Sequence, residues 1–228
     1  MTKRVVGFDV ETTSKDPITA DLVSIQIYNP LTDSVKRITD PLLFNEALAE
    51  LEANYKVIGH MLYFDLLVAK KRGFSIQPAG DSFLMFNMCP AAGEQPKDSR
   101  SLKDLSDKYL GGTMIRFNEV CPTGNFGDCD LTDPKVIEYM DQDPRQAYKL
   151  FEYLAKEYPQ ILESHYDEME FLPDFVNLTF DGIEMDPDKL AQLTPMMKQE
   201  LALLERELFE ELGFEFNPNS ATPMPAVS

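Results

Sequence analysis

The chain has 228 residues, 39 acidic against 21 basic side chains, a net charge of −18, and 43% hydrophobic residues. That is enough apolar material for one large domain, or one domain with an appendage. No run of about 18 apolar residues predicts a membrane span, and Met1-Thr2-Lys3-Arg4 ahead of a short apolar run is no signal peptide. The acidity argues against tight non-specific nucleic-acid binding without metal. It is unevenly spread: from Gln160 onward 15 acids face 3 bases, whereas before it 24 acids face 18 bases. Metal ions that neutralised a group of carboxylates would leave the first part nearly balanced. Cys89, Cys121 and Cys129 have no C-x-x-C spacing, which fits a reducing cytoplasm and argues against a zinc site or a disulfide framework.

Arg4 to Ser14 reads R-V-V-G-F-D-V-E-T-T-S. Val5, Val6 and Phe8 predict a buried strand. Asp9 and Glu11, two residues apart, then project to one face. Like charges that close repel, and burying either unpaired is costly. A divalent cation with hard oxygen ligands, Mg²⁺ or Mn²⁺, resolves the conflict; the alternative is the polar face of an edge strand. Thr12, Thr13 and Ser14 offer hydroxyls and N–H groups to a ligand. Leu22 to Tyr28 and Ser34 to Ile38 have strand chemistry and pair as a hairpin across Asn29-Pro30, giving three antiparallel strands.

Asp40-Pro41 predicts a helix start, with Leu42, Leu43, Ala47, Leu48 and Leu51 as its apolar face. Lys56 to Gly59 is a short buried strand, and Phe64 to Arg72 a helix stopped by Gly73. Asp65 lies among apolar residues and needs a partner, either a ligand or the helix end it caps. Asp81 to Phe86 is a short apolar element, Pro90 to Asp98 a loop, and Ser101 to Leu110 a helix ended by Gly111-Gly112. Lys97, Arg100, Lys103, Lys108 and Arg116 form a loose basic stretch, open to a phosphate backbone or to solvent. Pro122 to Asp130 is a loop.

Asp133-Pro134 starts a helix running to about Tyr158. Tyr139 and Asp143 lie one turn apart on one face of it, with Asp141 on another. A phenol beside a carboxylate suits a site that orients water and binds metal. Pro144 predicts a kink or break, which would make Asp143 the cap of a fresh helix. His60 and His165 have no ligand-spaced neighbours and read as structural. Beyond Pro159, Glu170 to Phe180 is helical and Gly182 to Met185 a turn. Asp186-Pro187 opens a long helix with an apolar stripe from Leu190 to Leu212 that wants a partner. The proline-rich tail 217–228 reads as disordered. Strands alternating with helices after a three-stranded start predict an α/β domain with a mixed sheet.

The order D-x-E, then G-H-x-x-x-F-D, then Y-x-x-x-D resembles the DEDD family of 3′–5′ exonucleases, in its tyrosine subgroup. More closely, it is similar to the proofreading domain of family A DNA polymerases, the bacterial polymerase I type and its phage relatives. F-D-V-E-T-T-S, I-G-H-M-L-Y-F-D-L and Y-M-D-Q-D carry the three motifs. The resemblance implies a ribonuclease H-like fold: a mixed central sheet, three antiparallel strands then parallel ones, flanked by helices, plus a C-terminal helical extension. It divides the chain into an exonuclease domain at 1–160, a helical joint and thumb-like segment at 161–216, and the tail.

It also implies a catalytic set of Asp9, Glu11, Asp65, Tyr139 and Asp143 with two Mg²⁺ or Mn²⁺ ions. Asp9 would bridge both, Glu11 and Asp143 would complete the first, Asp65 would hold the second, and Tyr139 would orient the attacking water. The implied substrate is a single-stranded or frayed DNA 3′ end in the cytoplasm of a bacterium or phage-infected cell, with nucleoside 5′-monophosphates as products. Thr12, Thr13, His60, Met61, Phe64, Arg100 and Tyr139 are the candidate substrate contacts, and Phe86 or Phe117 the candidate stacking aromatics. Two departures stand out: Met61 where the family commonly has Asn, and Pro144 after the last carboxylate. Two other readings fit the same residues, a ribonuclease D-like RNA 3′ exonuclease and a docking subunit of a split DNA polymerase that meets its other half through the C-terminal helix.

Overall fold

The computed structural model describes residues 3–90, 93 and 100–220. A five-stranded sheet has the order β3-β2-β1-β4-β5, formed by Ser34–Ile38, Leu22–Asn29, Arg4–Thr12, Tyr55–Gly59 and Gln77–Asp81 respectively. β1, β2 and β3 are antiparallel, and β4 and β5 continue parallel to β1. This is the ribonuclease H-like arrangement expected from the motifs. β1 is therefore a central strand and not an edge.

Period-two alternation sorts the side chains of β1 into two cores. Val6, Phe8 and Val10 join a cluster with α1 (Phe44–Asn54) and α2 (Tyr63–Lys71). Gly7, Asp9 and Glu11 point the other way, toward α6 (Pro134–Glu157). A Cβ on Gly7 would lie 2.5 Å from the Pro144 carbonyl oxygen, so only glycine lets helix and strand approach this closely.

Several elements differ from expectation. Asp40 does cap, accepting from the Leu42 N–H, but it opens a 3₁₀ turn at Pro41–Leu43. The buried face of α1 is then Phe44, Ala47, Leu48 and Leu51, while Leu42 and Leu43 are exposed. The strand β5 reads Q-P-A-G-D, with poor strand propensity. It pairs with β4 at the edge of the sheet, where Pro78 is tolerated; a Cβ at Gly80 would sit 2.6 Å from the Phe151 ring, so glycine lets that ring pack on it. The apolar stretch after it is α3 (Ser82–Met88), capped by Asp81. α4 (Leu102–Tyr109) is capped by Ser101, and a single turn, α5 (Phe117–Val120), precedes the loop at Pro122.

Pro144 does not break α6, which runs unbroken for 24 residues. An internal proline costs about 3 kcal/mol, and the helix carries it by burying Met140, Ala147, Leu150, Phe151 and Leu154. Asp143 is thus a mid-helix residue and no cap.

α7 (Leu162–Asp181) is longer than expected and buries His165, Met169, Leu172 and Val176 beside β5 and α2. The first compact unit extends to Asp181 and so includes α7. The second unit, from Gly182, holds α8 (Pro187–Leu212), which Asp186 caps and Gly213 ends at φ 79°. None of the residues of α8 is buried. The tail beyond Ser220 lies outside the described residues. Among the described residues no helix is long and apolar enough to cross a membrane.

Candidate active site

Asp9 and Glu11 reach the site from the C-terminal half of β1, and Asp143 from the facing side of α6. Ligand atoms of these three carboxylates all lie within 4.8 Å of one another. Burial pushes each carboxyl above its usual range. The Asp143 charge adds to this at Asp9, and those of Asp9 and Asp143 at Glu11. Lys103 on α4 works in the opposite direction, ion-paired with Asp143 and lowering all three. Asp9 Oδ2 is buried with no hydrogen-bond partner. A buried, unpaired carboxylate oxygen among like charges is costly without a cation, so the donor set fits a hard divalent metal.

Asp65, in the first turn of α2, stands outside this tight trio. Its Oδ1 accepts the Val10 N–H at 2.9 Å, and burial, then the Asp9 charge, raise its carboxyl. It shares with Asp9, Glu11 and Tyr139 a cavity of about 460 Å³, also lined by Thr12, His60, Met61, Phe64 and Phe117. Tyr139 is buried, and its phenol is held protonated first by burial and then by the Asp143, Glu11 and Asp9 charges.

The candidate contacts fall into two groups. Thr12, His60, Met61, Phe64 and Tyr139 line the cavity. Thr13 and Arg100 do not: the Thr13 hydroxyl accepts the Asp21 N–H, and Arg100 donates to Asn87 Oδ1. Phe86 is fully buried in the core and cannot stack on a base, whereas Phe117 lines the cavity edge-on to Tyr139. The basic stretch is absorbed internally. Arg116 pairs with Asp104 and Asp107, Lys103 with Asp143, and Lys108 lies over the Tyr109 ring. Lys97 lies outside the described residues.

His60 is neutral, its pKa driven down to about 3 by burial. His60 Nδ1 lies 2.9 Å from Ser82 Oγ, whose hydroxyl also reaches the Gly59 carbonyl.

Three groups at the site carried little sequence signal. Asp81 ends β5 and gathers four N–H groups, those of Met61 and Leu62 across the β4–α2 turn and those of Phe83 and Leu84 at the start of α3. A capping carboxylate ahead of an apolar run was the only cue to it. It stabilises Met61 at φ 59°, a left-handed conformation that suits Asn far better than Met. His165 of α7 accepts the Asp81 N–H and is itself neutral, its pKa lowered to about 4 by burial. Lys103 was visible only as one base among several.

The model of a 3′–5′ exonuclease family, the DNA polymerase A type, matches residues 1–159. The chain belongs to this family. Its curated relatives include the DNA polymerase I of Borreliella burgdorferi, 26% identical over 98% of this chain, and that of Rhizobium leguminosarum, 27% identical over 95%. The exonuclease chain spans about a quarter of the length of these relatives, 25% and 24%. Among solved structures, Brucella melitensis NrnC bound to pGG superposes with a TM-score of 0.65 at 20% identity, covering 82% of this chain and 90% of that one. The POL domain of Pol1 from M. smegmatis, in complex with DNA primer-template and dNTP, superposes at 0.68 and 16% identity, covering 94% and 35%. At these identities the structural likeness speaks for the fold.

Proposed function

We propose that this exonuclease removes nucleotides from single-stranded or frayed DNA 3′ ends, releasing nucleoside 5′-monophosphates in the manner of a proofreading domain. The observation that carries the reading is the carboxylate trio Asp9, Glu11 and Asp143 with its orphaned Asp9 oxygen, of which Asp9 and Glu11 line one cavity with Asp65 and Tyr139.

Asp9, Glu11 and Asp143 would hold one divalent cation, Mg²⁺ or Mn²⁺, and Asp65 together with Asp9 a second. Such ions, when bound, neutralise the phosphoryl charge and acidify the attacking water. Tyr139 stays protonated, so it orients that water by donating a hydrogen bond and does not act as a base. Neutral His60, Phe64 and Phe117 present aromatic faces to the terminal bases, which suits unpaired ends able to splay and stack. DNA is favoured because the curated relatives are DNA polymerases. A cytoplasmic site of action goes with the same relatives.

A second reading has its own support. NrnC bound to pGG matches the exonuclease over most of both chains, which favours short oligonucleotides, RNA included, as substrates. A third concerns the partner. The leucine stripe of α8, with no residue buried, would dock a separate polymerase chain.

Degradation of 5′-labelled single-stranded DNA and RNA of the same sequence, with Mg²⁺ and with EDTA, tests the proposal. Metal-dependent stepwise shortening of DNA is expected. Faster loss of RNA or of dinucleotides would transfer the assignment to the second reading.

A further inference from the structure

Lys103 is the second residue of α4 and reaches into the carboxylate group. Its ammonium is ion-paired with Asp143 and lies 4.6 Å from the centroid of the Tyr139 ring. Its side chain is 13% exposed and that of Asp143 10%, so the pair is largely withdrawn from water. The Asp143 oxygen it holds, Oδ1, belongs to one of the three carboxylates whose ligand atoms converge within 4.8 Å. An ammonium and a divalent cation on one carboxylate repel strongly at such range. One of them must yield.

We propose that Lys103 is a built-in counter-ion that occupies Asp143 in the metal-free exonuclease and is displaced when a divalent cation takes that carboxylate. The inference rests on the reading of Asp9, Glu11 and Asp143 as a metal site. It accounts for how a buried carboxylate is held among its like neighbours before metal arrives: the lysine supplies the positive charge at Asp143. The Tyr139 ring face provides the second half of its seat through cation–π attraction. Metal affinity is lowered in exchange, since the ion must first break the pair.

The test is Mn²⁺ binding to the full chain in the absence of nucleic acid, measured by calorimetric titration and by the paramagnetic resonance of free Mn²⁺. Lys103→Met should bind Mn²⁺ about tenfold tighter than wild type, the scale of one part-buried ion pair. Lys103→Arg, which keeps the charge, should show no such gain. The gain should vanish in Lys103→Met/Asp143→Asn, because it passes through Asp143. In EDTA, Lys103→Met should melt below wild type and show the larger rise in Tm on adding Mn²⁺. Lys103→Gln serves in its place if Lys103→Met fails to fold. Equal or weaker Mn²⁺ affinity in the charge-removing variant overturns the proposal, as does an equal gain in Lys103→Arg. Oligonucleotide cleavage is scored separately on the same proteins. A wild type that binds Mn²⁺ yet leaves DNA and RNA intact overturns the exonuclease reading, while the affinities of the Lys103 variants still decide the counter-ion role.

Discussion

Two carboxylates, Asp9 near the end of β1 and Asp81 at the end of β5, are both withdrawn from water, yet they are satisfied in opposite ways. Asp81 accepts four backbone N–H groups at 2.7 to 3.2 Å and has no need of an external partner. Asp9 faces Asp143 and Glu11 and keeps one buried oxygen without a hydrogen bond. Burial raises both carboxyls; backbone donors then pull Asp81 back, whereas a like charge pushes Asp9 further. The difference teaches how to separate a structural acid from a functional one. Burial is common to both, and the unfilled valence marks the site that expects a ligand.

Substitutions at the two positions should therefore diverge. Asp9→Ala is expected to lower the cleavage rate by at least about 10³-fold, the several kcal/mol of charge stabilisation lost with a metal site, without lowering stability in EDTA. Asp81→Ala is expected to cost about 3 kcal/mol in denaturant unfolding, because buried N–H groups lose their acceptor, while the folded fraction keeps most of its metal-binding capacity. A stable Asp81→Ala protein, or an Asp9→Ala protein that unfolds readily in EDTA, would break the comparison.

Tyr139→Phe should slow cleavage by about tenfold, one hydrogen bond to a reacting water. A loss as deep as that of Asp9→Ala would make the phenol more than an orienting donor.

The smallest effect sharpens the contrast through pH. In EDTA burial raises the Asp9, Glu11 and Asp65 carboxyls, so the folded protein takes up protons there at higher pH than the unfolded chain, and stability should rise as pH falls toward the ordinary carboxyl range of about 4. His60 and His165, with pKa values lowered to about 3 and about 4, bind protons only when unfolded once pH drops below about 6.5, and so oppose part of that gain. Saturating Mg²⁺ should flatten the carboxyl contribution. Thermal melts across this range, with and without metal, are the measurement.

How much of this was legible in the chain follows from where each signal is carried. The strand β1 announces itself twice over, since Val6, Phe8 and Val10 alternate with Gly7, Asp9 and Glu11, and period two fixes which residues share a face. Tyr139 and Asp143 are likewise joined by helical spacing. What escaped depends on contacts distant in sequence. β5 is held as a strand by its pairing with β4, and α6 survives Pro144 because its apolar face is buried on both sides of it. Leu42 and Leu43 gave way to Phe44 because a 3₁₀ turn rotated the start of α1. The partners of Arg116 and Lys103 are acids, some of them far along the chain, and no local pattern separates such bases from a solvated strip.

The close approach of Gly7 to the Pro144 carbonyl has a mechanical consequence. One half of the carboxylate trio rides on β1 and the other on α6, and the two meet main chain against main chain beside the acids. Gly7 brings no side chain to that contact, so no change of its own rotamer can widen it. The spacing of the carboxylates is thereby set by the backbone contact of strand and helix, and a single added methyl at Gly7 would act as a wedge between them.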